Sequence, residues 1–308
     1  MKLLTKDMQA DVARQMINKA RDIDMALYNY LDGSMDHDFV LDALTFFMNK
    51  DGIGNALYID NYNPNTSSYQ IYEALRILDM ADFDSNCNHE LFDLIINKCF
   101  NYIYNRCEIK DNMFNPNVIT NNDFAHSCDF TYNEENRLMF GYAPTAAILG
   151  YTLVFCKPTK AYYKKALKMI PIMLNDLYKK ESLSKYEFIS FNSFLNSIKK
   201  VNLYTDEQSK IEEKLVSLAL KQASCDFSDL TKIRPLDVAL YLNDSRLDEM
   251  KNKHLDYIID TRAFHGLWDY EGGWGYNTYA EEDTAKMKWV GALAVNYYYI
   301  LKKYGRIE

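Results

Sequence analysis

Chemistry near neutral pH needs groups that can take up or release protons, and few positions in this chain offer them in company. His126 lies beside Asp123 and Asp129 in a long polar segment. An imidazole close to carboxylates can serve as acid or base near neutral pH. His265 precedes a Trp-Asp-Tyr-Glu-Gly-Gly-Trp-Gly turn, residues 268–275, which carries Asp269 and Glu271. Further carboxylates stand at Asp51, at Asp60 and in Glu281-Glu282-Asp283. A carboxyl pair with one member held protonated is what glycoside cleavage uses. Structural roles compete for each group. Asp269 and Glu271 can satisfy the amides of their own turn, Glu281 to Asp283 suit the start of a helix, and a lone histidine in a loop can simply hold that loop. Asp22-Ile23-Asp24, Asp36-His37-Asp38 and Asp82-Phe83-Asp84 fall near expected helix ends and read as caps. The six cysteines contain no CxxC pair, which predicts neither a disulfide framework nor a sulfur-rich metal site. Cys225 and Asp226 lack a histidine to complete a zinc site. No metal and no cofactor is expected.

Helices must position these groups. Residues 7–30 carry Met8, Val12, Met16, Ala20 and Ile23 at three- and four-residue spacing, an amphipathic stripe. Helical patterns follow at 36–49, 67–81, 89–106, 141–156, 160–180, 184–199, 205–223, 234–242, 246–262 and 284–304, with Ser67 and Ser68 available as caps. Convincing alternating strands are absent. Three long irregular segments, 51–66, 107–140 and 263–283, separate the helices, and loops of that length inside a compact domain tend to carry function. A unit of helix, acidic turn and glycine recurs at 46–55 and 265–275, with an eroded copy at 99–114. Such self-similarity predicts a repeat architecture of paired helices, a ring or a solenoid. No linker or composition shift divides residues 1–308, so one domain is expected.

The net charge of -8 argues against a nucleic-acid surface. The basic run from Lys157 to Lys168 is interrupted by Tyr162, Tyr163 and Ala166 and reads as the solvated face of a helix. Neither a signal peptide nor a membrane-spanning run is present in the pattern, which predicts a cytoplasmic protein with no integral membrane association. The 25 tyrosines and 16 phenylalanines supply apolar area with polar handles that can line a cavity, although codon bias gives the same composition.

The turns resemble degenerate copies of the repeat of squalene cyclases and protein prenyltransferase β subunits. Four ordered blocks are more closely similar to a group of bacterial proteins of that terpenoid-cyclase-like superfamily. The run 49–60, Asn-Lys-Asp-Gly-Ile-Gly-Asn-Ala-Leu-Tyr-Ile-Asp, and then 63–68, Asn-Pro-Asn-Thr-Ser-Ser, is similar to their early "QNxDGGFG-ALEPD-x-PxSS" segment. Residues 124–130 are similar to "APHAPWW", residues 143–151 to "NPTAEIAGYL", and residues 288–307 to the closing "EWxGxxTLxxLxxLxxYGRI". The chain departs from these patterns where an acid is replaced by Tyr58, where another is replaced by Ala147, and where the middle tryptophans are Cys128, Asp129 and Phe130. It has no DxDD acid motif and no DDxxD magnesium cluster.

The resemblance implies an all-α fold, an α/α toroid in which helical hairpins form an inner and an outer ring around a central cavity. Loops of the same type would then fall on one rim. On this reading the protein is an enzyme doing acid–base chemistry on a hydrophobic or isoprenoid small molecule, with His126, Asp60 and Asp269 as candidate catalytic residues. Tyr58, Asp123, His265, Trp268, Trp274 and Trp289 are candidates for substrate contact, although tryptophans in repeat turns can equally clamp helices. Two other readings stay open: a carbohydrate-active helical barrel with paired rim carboxylates, and a non-catalytic binding scaffold.

Overall fold

The computed structural model describes residues 1–275 and 278–308. The chain is all-α. Its helices are α1 (Lys6–Lys19), α2 (Asp22–Asp32), α3 (Asp38–Thr45), α4 (Ser68–Met80), α5 (Glu90–Asn105), α6 (Glu134–Phe140), α7 (Thr145–Phe155), α8 (Ala161–Lys179), α9 (Lys185–Lys200), α10 (Thr205–Gln222), α11 (Pro235–Ala239), α12 (Asp248–Asp260) and α13 (Glu281–Lys303). The one sheet among the described residues is a hairpin of β1 (Ile109–Lys110) and β2 (Met113–Phe114). Residues 276 and 277, within the third long loop, lie outside the described residues.

Local chemistry explains most boundaries. Ser67 caps α4, its hydroxyl accepting the Gln70 N–H at 3.2 Å. Ser184 and Glu187 form a capping box at the start of α9. Gly33 ends α2 in the left-handed conformation, with φ of 86°.

The expected single helix over 7–30 is broken. Ala20 and Arg21 are extended, and Arg21 turns back to pair with Asp24 at 2.7 Å and to donate to the Leu57 carbonyl at 2.7 Å. The break also admits α13. A Cβ on Gly291 would meet the Ala20 Cα at 2.7 Å. The 107–140 segment is less irregular than expected. It contains the hairpin, whose two turn residues, Asp111 and Asn112, both have positive φ as a tight two-residue turn requires. It also contains α6, capped by Asn133.

The core centres on α7, which is buried along its whole length. It packs against α4, α8 and, most extensively, α9. Gly150 sets that last approach, because a Cβ there would meet the Ser197 Cβ at 2.8 Å and the Phe194 Cα at 3.0 Å. In turn α9 packs on α10 and α11, α11 on α12, α13 on α1 and α2, and α2 on α3. The Tyr-Gly-Arg-Ile block after α13 meets the start of the chain. Leu4 donates to the Arg306 carbonyl at 2.8 Å, and the almost fully buried Arg306 guanidinium holds Asp256 at 2.7 Å, Asn252 at 2.7 Å and the Lys2 carbonyl at 2.8 Å. Among the described residues no single helix is long and apolar enough to cross a membrane.

Candidate functional site

Asparagines lock the long loops together. Asn49 Oδ1 accepts the N–H groups of Asp51 and Gly52 and the Thr66 hydroxyl, and its amide donates to the Pro64 carbonyl at 2.9 Å. Gly54 sits so tightly in this loop that a Cβ would lie 2.4 Å from the Pro64 oxygen. Asn63 then reaches across to Asn121 at 2.8 Å, and Asn121 donates to the Phe130 carbonyl at 2.9 Å. The backbone joins in. Ser127 N–H donates to the Asp60 carbonyl at 2.9 Å, and Cys128 N–H to the Trp274 carbonyl at 3.1 Å. Asp60, His126 and Trp274, far apart in sequence, are thereby gathered into one place.

Asp60 is the hub. Its Oδ1 accepts the indole N–H of Trp274 at 2.8 Å and that of Trp289 at 2.7 Å. Burial raises the Asp60 carboxyl above the ordinary carboxylate range, against the two indole bonds that favour the charged form, and the negative charges of Asp129 and Glu282 push it further the same way. Tyr270 stacks flat on Trp289, with rings 5.2 Å apart and 8° from parallel, and Tyr58 meets the same indole edge-on at 5.8 Å. Asp129 accepts the Tyr186 hydroxyl at 2.5 Å.

Tyr58, Tyr270 and Trp289 form part of the wall of a partly open cavity of about 430 Å³ lined by α4, α9, α11, α12 and α13 and by the loops before α11 and α13. More tyrosines line it: Tyr69 and Tyr72 of α4, Tyr297 and Tyr299 of α13, and Tyr241 just after α11. Burial raises the hydroxyls of Tyr58, Tyr69 and Tyr241 well above their ordinary value, so they stay neutral. The polar groups are as distinct as the aromatic ones. Glu73 and Arg76 form a two-pronged ion pair at 2.7 and 2.9 Å, and Arg76 also reaches Asn296 of α13 at 2.8 Å. Lys185 pairs with Asp237 at 3.2 Å, and Arg234 with Glu271 at 2.9 Å.

The remaining candidates lie elsewhere or are engaged. His126 is buried. Its Nδ1 lies 2.6 Å from the Phe124 carbonyl and so carries the proton, while Nε2 faces the Thr131 hydroxyl at 3.0 Å. Asp123 is exposed at the end of the turn that precedes Phe124. His265 and Asp269 find each other at 2.7 Å, on a separate groove lined by residues 18–21 and the first turns of α13. Trp268 is buried, donates to the Ile258 carbonyl at 2.6 Å and packs on Tyr297. The acidic doublets act locally. Asp24 caps α2, Asp82 accepts the Tyr30 hydroxyl, and Asp84 accepts the Asn86 N–H.

Sequence reasoning missed Glu73, Arg76, Asn192, Asn296 and His254. One signal was available in α4: Tyr69, Tyr72, Glu73, Arg76 and Met80 fall at helical spacing on a single face, where a core helix should be aliphatic. The described residues hold one cluster with metal-ligand geometry, Asp36, His37 and Asp38, which lies at the surface where α3 begins. Among the described residues no two cysteines form a disulfide. No family model, curated protein or solved structure matches the chain.

Proposed function

We propose that the chain is an α/α toroid of the terpenoid cyclase and protein prenyltransferase type, and that its cavity binds an amphiphilic small molecule. The order of helix contacts supports the ring. α4, α7, α9 and α11 pack in succession, α13 continues to α2, and the flanking helices α1, α8, α10 and α12 lie against them. In this reading α2, α4, α7, α9, α11 and α13 are the inner helices. The observation that carries the ligand proposal is the cavity itself: a tyrosine and tryptophan wall with three ion pairs on its surface, Glu73–Arg76, which also holds Asn296, Lys185–Asp237 and Arg234–Glu271. Such a surface fits a molecule with an apolar body and a polar end. Among the acid–base candidates Asp60 has the strongest claim, because it stands directly behind the wall residue Trp289 and burial holds its carboxyl toward the protonated form.

The carbohydrate reading is less well supported. Glycoside cleavage needs a protonated carboxyl beside a second one. Here Glu73, Asp237 and Glu271, the cavity carboxylates, are each paired with a cation.

Thermal shift tests the proposal with farnesol, farnesyl diphosphate and maltooligosaccharides as probes. A ligand at a hundredfold its Kd adds about 2.7 kcal/mol, a rise in Tm of roughly 5 °C for a chain of this size. Farnesol or farnesyl diphosphate should give that rise, and Leu293→Trp, which fills the cavity, should abolish it. A shift with the oligosaccharides alone would favour the carbohydrate reading, and no shift with any probe would favour the non-catalytic scaffold.

A further inference from the structure

The outer face of α3 is apolar in an unusual place. Val40, Leu41, Ala43 and Leu44 point inward and are buried, and the helix packs on α2. Asp38, Phe39, Asp42, Thr45 and Phe46 are exposed on the opposite side. Phe39 and Phe46 lie two turns apart on one helical face and are 51% and 74% exposed. Met35, just before the helix, and Leu94 on α5 are exposed as well. Lys98, one turn after Leu94, donates to the Asn49 carbonyl at 2.9 Å, which brings α5 alongside the end of α3. Single apolar side chains in water are ordinary, whereas several gathered on one surface mark a site of interaction.

The charge around this face has one sign. Asp38 and Asp42 flank Phe39 on the helix, and Asp36 precedes it. Asp84 and Asp93 come from the turn before α5 and from α5 itself. Burial, together with the charges of Asp38, Asp84 and Asp93, raises the Cys87 thiol, which places these three carboxylates around one point. Among the described residues no Lys or Arg pairs with any of these aspartates. The basic group within reach is His37, 3.7 Å from Asp36 and 3.4 Å from Asp38. Past Phe46 the sign changes, where Arg21 and Lys288 border an open pocket with Ala43, Phe47 and Ala56. A second copy docking through the same face would set aspartate against aspartate, and an anionic membrane would be repelled in the same way. We propose that the outer face of α3 docks a basic amphipathic helix of a partner protein. Its apolar side chains cover Phe39 and Phe46, and its Lys or Arg residues lie over the Phe39 half, where they meet Asp36, Asp38 and Asp42.

Three synthetic peptides serve as probes: leucine and lysine in amphipathic helical order, the same peptide with glutamate for lysine, and the leucines and lysines in scrambled order. Each is titrated into the full chain by fluorescence anisotropy at low salt. The amphipathic lysine peptide should bind roughly tenfold more tightly than either of the others, and its binding should weaken as salt is added. Phe39→Ser combined with Phe46→Ser keeps every charge and removes the apolar anchors, so it should weaken that peptide roughly tenfold. Asp36→Asn with Asp38→Asn and Asp42→Asn should instead flatten the salt dependence. Should the serine variant fail to fold, hydrogen exchange on the wild type gives the same answer, because bound peptide should slow exchange in residues 35–46 and in the first turns of α5. No binding, equal binding of the glutamate or scrambled peptide, affinity untouched by the serine substitutions, or protection confined to other segments would each overturn the proposal. So would a wild-type dimer in sedimentation that the serine variant abolishes, since a second copy would then be the occupant. Binding to phosphatidylcholine vesicles that the serine variant abolishes would assign the face to a membrane and overturn it too.

Discussion

Replacing Asp60 separates the cost of its hydrogen bonds from the cost of its charge. One oxygen accepts two indole N–H groups from distant parts of the chain. Asp60→Ala leaves both donors unmet. A buried donor without an acceptor costs about 1–3 kcal/mol. Trp274 is almost wholly buried while Trp289 is half-buried and can recover a water, so the pair predicts a loss of about 2–4 kcal/mol. Asp60→Asn keeps an oxygen for both bonds and removes the charge. The charged acceptor makes the stronger bonds by roughly 1 kcal/mol each, but burial of that charge opposes them, and the carboxyl is raised on balance. The sign of the pH effect follows. Between the ordinary carboxylate value and the higher folded one, the folded protein holds more protons than the unfolded chain, so stability falls as pH rises through that window. The amide has no such loss. Urea unfolding followed by Trp emission, at about pH 4 and about pH 7, should therefore show Asp60→Asn gaining on the wild type as pH rises. An Asn variant that loses ground toward neutral pH would mean that the charged form of Asp60 is the favoured one, and the argument would fail. An Ala variant costing under about 1 kcal/mol would show that the indoles do not depend on this oxygen.

Gly54→Ala should cost about 2–3 kcal/mol in urea unfolding and alter the near-UV dichroism of Trp274 and Trp289, because a methyl group 2.4 Å from the Pro64 carbonyl forces apart the loop that carries Asp60. Arg306→Ala should cost about 1–3 kcal/mol, the usual result of breaking a hydrogen-bond network around a buried side chain, and hydrogen exchange should quicken in residues 2–8 and in α12, the two segments its guanidinium joins.

How much of this was legible in the sequence depends on whether a signal was local. Helix spans were, because caps and periodicity act within a few residues. α4 begins at Ser68 and α9 at Lys185, each within a residue of the expected start. The break at Ala20 was hidden because its causes are remote: α13 passing at Gly291, and Leu57 accepting from Arg21. The pairing of Asp60 with Trp274 and Trp289 spans more than two hundred residues, and no spacing rule reaches that far. The acids of the long loops end in different places. Asp60 gathers Trp274 with Glu282 close by, whereas Asp269 turns away to His265 and Asp51 to Arg106. His254 and Asn192 looked like ordinary members of amphipathic helices. Only the count of donors against acceptors after folding sets them apart.

The ionic cluster on the cavity wall bears on what the cavity is for. Glu73 and Arg76 are three residues apart on one helix, so their pair forms without any tertiary contact, and a buried ion pair adds little to stability compared with apolar side chains of similar volume. A cavity serving only as a packing defect would be better filled by leucine or methionine at both positions. What the pair does achieve is placement. Glu73 grips Arg76 at two points, and the third guanidinium contact runs to Asn296 on α13, so a fixed cation is presented between α4 and α13 on a tyrosine-rich wall. Such preorganised polarity favours a ligand of matching charge distribution, since its orienting groups are already held before binding. A fixed polar cluster on an aromatic wall favours recognition of a molecule that is polar where it meets Arg76 and apolar along the tyrosines.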